Sequence, residues 1–104
     1  MIAILEQKKW TYDDYLKLDD DKRYEILRGE LYMTPAPDFN HQYLAVNITF
    51  LMKKFVDDRN LGYVVDAPTD VVFDKDNVVQ PDILFISKEN RNIIQKRGVF
   101  GAPD

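Results

Sequence analysis

Between Arg23 and Met33, apolar and polar residues alternate in two short runs, Tyr24-Glu25-Ile26-Leu27 and Glu30-Leu31-Tyr32-Met33, separated by Arg28-Gly29. A period of two marks strands with one face toward a core. Glycine supplies the positive φ that a tight turn needs, so the pattern predicts a hairpin. Alternation sets Glu25 and Leu27 on one face, opposite Tyr24 and Ile26. Thr34-Pro35-Ala36-Pro37 cannot continue the ladder, because proline has no N–H to donate. From there the period lengthens to that of a helix, capped by Asp38 or Asn40 and running to about Arg59. Leu44, Ile48, Leu51 and Phe55 are spaced by four, three and four residues. Ala45, Met52 and Val56 widen that stripe, as expected of a helix lying on a sheet. Asn60-Leu61-Gly62 ends it through a left-handed residue.

The remaining segments are shorter. Trp10 to Leu18 reads as a short amphipathic helix, with Thr11 as N-cap, Asp14 completing a capping box, and Trp10, Tyr15 and Leu18 as its apolar stripe. Tyr63 to Phe73 is extended and interrupted at Pro68. Asp74-Lys75-Asp76-Asn77 is a turn into a strand over Val78 to Ile86, giving a second hairpin. Its apolar run, Ile83 to Ile86, has the character of a strand covered on both faces. Ser87 to Arg97 fits a ragged helix or an ordered loop, and Gly98 to Asp104 is loop-like. The order α, β-β, α, β-β predicts an α+β fold, a mixed β-sheet packed against the long helix. A length of 104 residues corresponds to a single domain.

Composition narrows the chemistry. The chain is 45% hydrophobic and 31% charged, ordinary for a globular protein. With no cysteine and one histidine, His41, it has neither a thiolate zinc site nor a multi-histidine site. No apolar stretch is long enough for a membrane span, and Met1 to Leu5 is too short for a signal peptide, so the expected location is cytoplasmic. The net charge of -4 disfavours an undirected nucleic-acid binder. Charge is nonetheless segregated. Asp13, Asp14, Asp19, Asp20 and Asp21 cluster early, whereas Lys88, Arg91, Lys96 and Arg97 form a basic edge that could face phosphate.

Three residues are candidates for chemistry. Asp82, held after Pro81 at the start of an apolar strand, suits either a ligand for magnesium or manganese or a kink bonded to local backbone. A carboxylate buried there alone would be costly, so it should have a partner. Glu25 lies amid apolar residues, as a functional acid or as an inward charge protecting a sheet edge. His41 falls in the first turn of the long helix, where a neutral ring could act as base or hydrogen-bonding group, or simply lie at the surface.

Four segments taken in order carry a resemblance: Arg-Tyr-Glu-Ile-Leu-Arg-Gly-Glu-Leu-Tyr (23–32), Pro-Ala-Pro-Asp-Phe-Asn-His-Gln (35–42), Val-Val-Gln-Pro-Asp-Ile-Leu (78–84) and Gly-Ala-Pro-Asp (101–104). Their order and spacing resemble the putative restriction endonuclease family of the PD-(D/E)XK nuclease superfamily. The resemblance implies a metal-dependent DNA endonuclease fold using Mg2+ or Mn2+. Asp82 matches the Pro-Asp metal-ligand aspartate, Glu25 the glutamate before the hairpin glycine, where it could join the metal site, and His41 the histidine opening the helix. Family members continue after Gly-Ala-Pro-Asp into a strand with a second metal-binding glutamate and then a catalytic lysine region. On that basis residues 1–104 are expected to be an incomplete nuclease-like domain, inactive alone and prone to form a homo-oligomer through an exposed sheet edge. The alternative expectation is a non-catalytic interaction module.

Overall fold

The first hairpin sets the frame. In the computed structural model, which describes Ile2–Ala3 as backbone and residues 9–104, strands β2 (Arg23–Leu27) and β3 (Glu30–Thr34) pair antiparallel with Leu27 opposite Glu30. The two turn residues, Arg28 and Gly29, both have positive φ, 53° and 79°. That is the turn whose twist matches paired strands. As alternation predicts, Tyr24, Ile26 and Leu31 are buried, whereas Glu25 is only half-buried. Strand β1 (Ile2–Ala3) adds outside β3. The rest of the opening apolar stretch Met1 to Leu5 lies outside the described residues.

Helix α1 is shorter than expected, Tyr12–Tyr15, but its capping box is present: Thr11 and Asp14 satisfy each other's backbone N–H. Trp10, Tyr12, Tyr15 and Leu18 pack on the first core, formed by Tyr24, Ile26, Leu31, Val72 and Val78. The long helix α2 spans Phe39–Asp58, capped by the Asp38 carboxylate and followed by Asn60 at φ 52°. Strand β4 (Gly62–Asp66) follows, then β5 (Val71–Asp74) and β6 (Asn77–Val79).

Here the expected strand over Val78 to Ile86 is corrected. It is two strands, because Pro81 has no N–H for a ladder and the chain leaves the first sheet at Gln80. Strand β7 (Ile83–Ser87) instead joins β4 in a separate antiparallel pair, with Asp66 opposite Ile83. A 3-10 helix (Lys88–Ile93) leads into β8 (Ile94–Gln95) and β9 (Gly98–Phe100), so the segment expected to be loop contains a strand. The larger sheet runs β1-β3-β2-β6-β5-β9-β8, with β5 and β9 parallel and the other pairs antiparallel. This is an α+β fold with a mixed sheet and one long helix.

A second core, Val71, Leu84, Ile86 and Val99, joins β7 to the larger sheet. Only one face of β7 is fully covered, since Ile83 and Phe85 are half-buried. The helix differs most from expectation. Its packing falls on β4, through Val56, which is buried, and the half-buried Ala45, Thr49 and Met52. Ala45, Met52 and Val56 belong to the predicted stripe and do pack, but its other row faces outward: Leu44, Leu51 and Phe55 are more than half exposed and Ile48 is 39% exposed. The radius of gyration is 14.8 Å, against about 13 Å for a compact domain of this length. Exposed flanks on α2 fit that excess.

Candidate active site

Asp82 stands where the chain passes from the larger sheet to the β4–β7 pair. Its carbonyl accepts the N–H of Ala67 at 3.0 Å, which pins it beside the end of β4. Its side chain is 56% exposed, so the cost of a buried, isolated acid does not arise. Asp82 Oδ2 lies 3.3 Å from His41 Nε2. His41 is placed by the helix start, where its own N–H donates to the Asp38 carboxylate at 2.8 Å. The two line a cavity of about 290 Å³ together with Arg23, Gln42, Asp66 and Ala67.

Glu25 is elsewhere. Its Oε2 accepts the Gln80 N–H at 2.7 Å, two residues ahead of Asp82. Arg23, one pleat away on β2, donates from Nε to Gln80 Oε1 at 3.0 Å and from Nη2 to the Gln80 carbonyl at 3.4 Å. These contacts hold the Gln80-Pro81-Asp82 corner against the first hairpin. Sequence reasoning did not single out Asp66 or Arg23. Asp66 closes β4 just before Ala67-Pro68, but its approach to the site depends on β4 pairing with β7.

A metal ion needs more than this constellation offers. Magnesium keeps near-octahedral oxygen coordination from carboxylates, water and substrate phosphate. Among the described residues no group of three His, Cys, Asp or Glu side chains is arranged to hold a metal. Asp82 offers one carboxylate, and with His41 it does not by itself complete a metal cage.

Behind the corner lies a polar network. Tyr15 donates its hydroxyl to Asp70 Oδ1 at 2.7 Å, and Gln80 Nε2 donates to both Tyr15 Oη and Asp70 Oδ1 at 2.8 Å. Burial, then the Asp70 carboxylate, raises the Tyr15 phenol far above its ordinary value of 10.0. A proton held more tightly in the folded chain gives a contribution that is complete below pH 10 and erodes as pH rises beyond it. Tyr15→Phe is therefore expected to lose about 1 kcal/mol at neutral pH and to flatten the decline above pH 10. Urea titrations at both pH values check this, and an unchanged alkaline slope would count against it.

A second, larger concavity of about 920 Å³ adjoins the first through Pro68. Its apolar wall includes Tyr63, Val65, Ile86 and Val99, and its charged lining is Arg91, Lys96 and Arg97 together with Asp70. Three of the four basic residues noted in the sequence thus converge on one hollow beside Asp82.

A model of the Uma2 family, described as putative restriction endonucleases, matches residues 12–104. The chain belongs to the Uma2 family. No curated protein matches it. Membership places it among restriction-endonuclease-like nucleases, for which DNA is the implied substrate and divalent metals are in general use. Among the described residues, no helix is long and apolar enough to cross a membrane.

Proposed function

We propose that this Uma2 chain carries one part of a metal-dependent DNA endonuclease site, centred on Asp82. The observation that carries this reading is the Asp82–His41 contact of 3.3 Å at the wall of a cavity that Asp66 also lines. Asp82 would supply a carboxylate to Mg2+ or Mn2+, and His41 would orient it or a phosphate oxygen. Glu25 would act by fixing the corner through Gln80, since its carboxylate is engaged there. DNA would approach along the hollow edged by Arg91, Lys96 and Arg97, with binding that weakens as salt rises. The lack of cysteine suits the reducing cytoplasm.

Phosphodiester hydrolysis requires an ion held in place, an activated water and a stabilised leaving oxygen. Two donors at an exposed corner hold a strongly hydrated cation poorly. The chain by itself is therefore expected to cleave plasmid DNA little or not at all. Calorimetric titration of manganese into the chain and into Asp82→Ala tests the site. Weak or no binding to the parent is expected. Sub-millimolar binding that vanishes in Asp82→Ala would mean that the site is already assembled. Manganese-dependent plasmid nicking abolished by the same substitution would overturn inactivity.

A second reading, an interaction module, has one observation in its favour. Among the described residues β4 is the strand paired with β7, and beyond that pair Asp104 donates its N–H to the Phe85 carbonyl at 3.0 Å. An open strand edge of this kind can pair with another chain. Self-association insensitive to salt and lost when that edge is blocked would favour it.

A further inference from the structure

The outer surface of α2 is apolar to a degree that a solvent-facing helix does not need. Phe39, Tyr43, Val46 and Phe50 are 78%, 63%, 62% and 64% exposed. Their spacing of four, three and four residues puts them in one row along the helix. A helix that is apolar nearly all round is normally covered on more than one side. The other exposed row, Leu44 to Phe55, flanks the packed residues on the opposite side; there Ile48 is 39% exposed and the Arg59 guanidinium sits 3.7 Å above the Phe55 ring. The Phe39 row has no such cover, and its first two rings are already stacked 6.0 Å apart.

We propose that Phe39, Tyr43, Val46 and Phe50 form the docking surface for a second copy of this chain, packed helix to helix in an antiparallel two-fold pair. Area is the first argument. Taking about 200 Å² for each aromatic ring, the four side chains expose roughly 500 Å² per copy. A symmetric pair would bury roughly 1,000 Å² from these residues alone, which reaches the size of a specific interface. Shape is the second. Crossing near Val46, the smallest of the four, sets Phe50 of one copy beside Tyr43 of the other, and a two-fold pair makes both contacts at once.

Charge selects the orientation. Lys53 and Asp57 form an i,i+4 pair at the C-terminal end of α2, and Lys54 and Asp58 form another. The antiparallel arrangement places these beside the helix start, which carries Asp38 and His41, and opposes the helix dipoles. A parallel one would face each lysine with its own copy. This surface is distinct from the open edge of β7, and through Val46 it reaches the wall of the cavity that Asp82 and His41 line.

Sedimentation velocity over a concentration series, on the full chain, tests the proposal. The parent is expected to dimerise in the micromolar range without salt dependence. Phe50→Lys and Tyr43→Lys should each weaken the dimer roughly 30-fold or more, as central aromatic anchors do. Leu51→Lys, on the other row, should leave it within about threefold, and Asp82→Ala should leave it unchanged. All four positions are exposed, and circular dichroism confirms folding of each variant. Because the chain has no cysteine, Val46→Cys gives a second readout: mild oxidation should link two copies through that position, whereas Phe55→Cys should not link. A monomer at every concentration would overturn the proposal. So would a dimer indifferent to both Phe50→Lys and Tyr43→Lys, which would place the contact elsewhere, the β7 edge included.

Discussion

Gly62→Ala is expected to separate β4 from β7 and cost about 3 kcal/mol or more. Gly62 has a φ of 155°, a region closed to residues with a side chain, and it sits opposite Ser87 at the start of the strand pair. A Cβ there would overlap the Ile86 carbonyl oxygen and lie 2.8 Å from Ser87 Cα. Both neighbours are backbone, so no rotamer change relieves the clash. Typical domains have only about 5–15 kcal/mol in all, so this is a large fraction. The consequence reaches the site, because the same pair places Asp66 and Asp82 together at its far end. Urea unfolding would show the loss, and NMR shifts at Ala67 and Asp82 would show its spread. A midpoint equal to that of the parent would refute the argument.

Ile26→Ala should cost about 2–5 kcal/mol, toward the upper end of that range. Ile26 is fully buried, and so is Val78, which faces it across the strands. Ile26↔Val78 is also the register pair through which the first hairpin joins the rest of the sheet. Deleting the side chain therefore opens a cavity at the joint between two sheet segments, where little else can collapse to fill it. Ile26→Val removes one methylene and should cost about 1 kcal/mol. Urea midpoints for the two variants separate the cases. If alanine is no worse than valine, the site is not packed as described.

Local chemistry was legible in the sequence, and non-local pairing was not. The Arg28-Gly29 turn and the Thr11–Asp14 capping box follow from backbone sterics and orphan N–H groups within a few residues. The limits of α2 were legible for the same reason, through Asp38 and Asn60. Its orientation was legible in part: Ala45, Met52 and Val56 were in the expected stripe, but a helix with apolar residues around most of its circumference offers periodicity several rows to choose from. The row that packs, Ala45, Thr49, Met52 and Val56, is less hydrophobic than the row that does not. Pro81 was visible as an interruption, yet the exchange of partners it causes, β6 with β5 and β7 with β4, is a tertiary outcome. Asp82 and His41 were singled out separately, at a strand start and in the first turn of a helix, and no spacing in the sequence announces that they lie 3.3 Å apart. Asp66 was missed because its approach to Asp82 depends on that exchange. Alternation set Glu25 on the face opposite Tyr24 and Ile26, but its partner is a backbone N–H that no side-chain pattern announces.

The two separate cores have a spectroscopic consequence. Trp10, the sole tryptophan, packs against the first core, whereas Leu84 and Ile86 belong to the second. Indole emission therefore follows the hairpin half and is nearly blind to the strands that bear Asp66 and Asp82. If α2 and the β4–β7 pair release first on heating, emission will report an intact protein while the helical ellipticity at 222 nm, carried mainly by the twenty residues of α2, has already fallen. Matching curves from the two signals would instead mean that both cores melt as one cooperative unit.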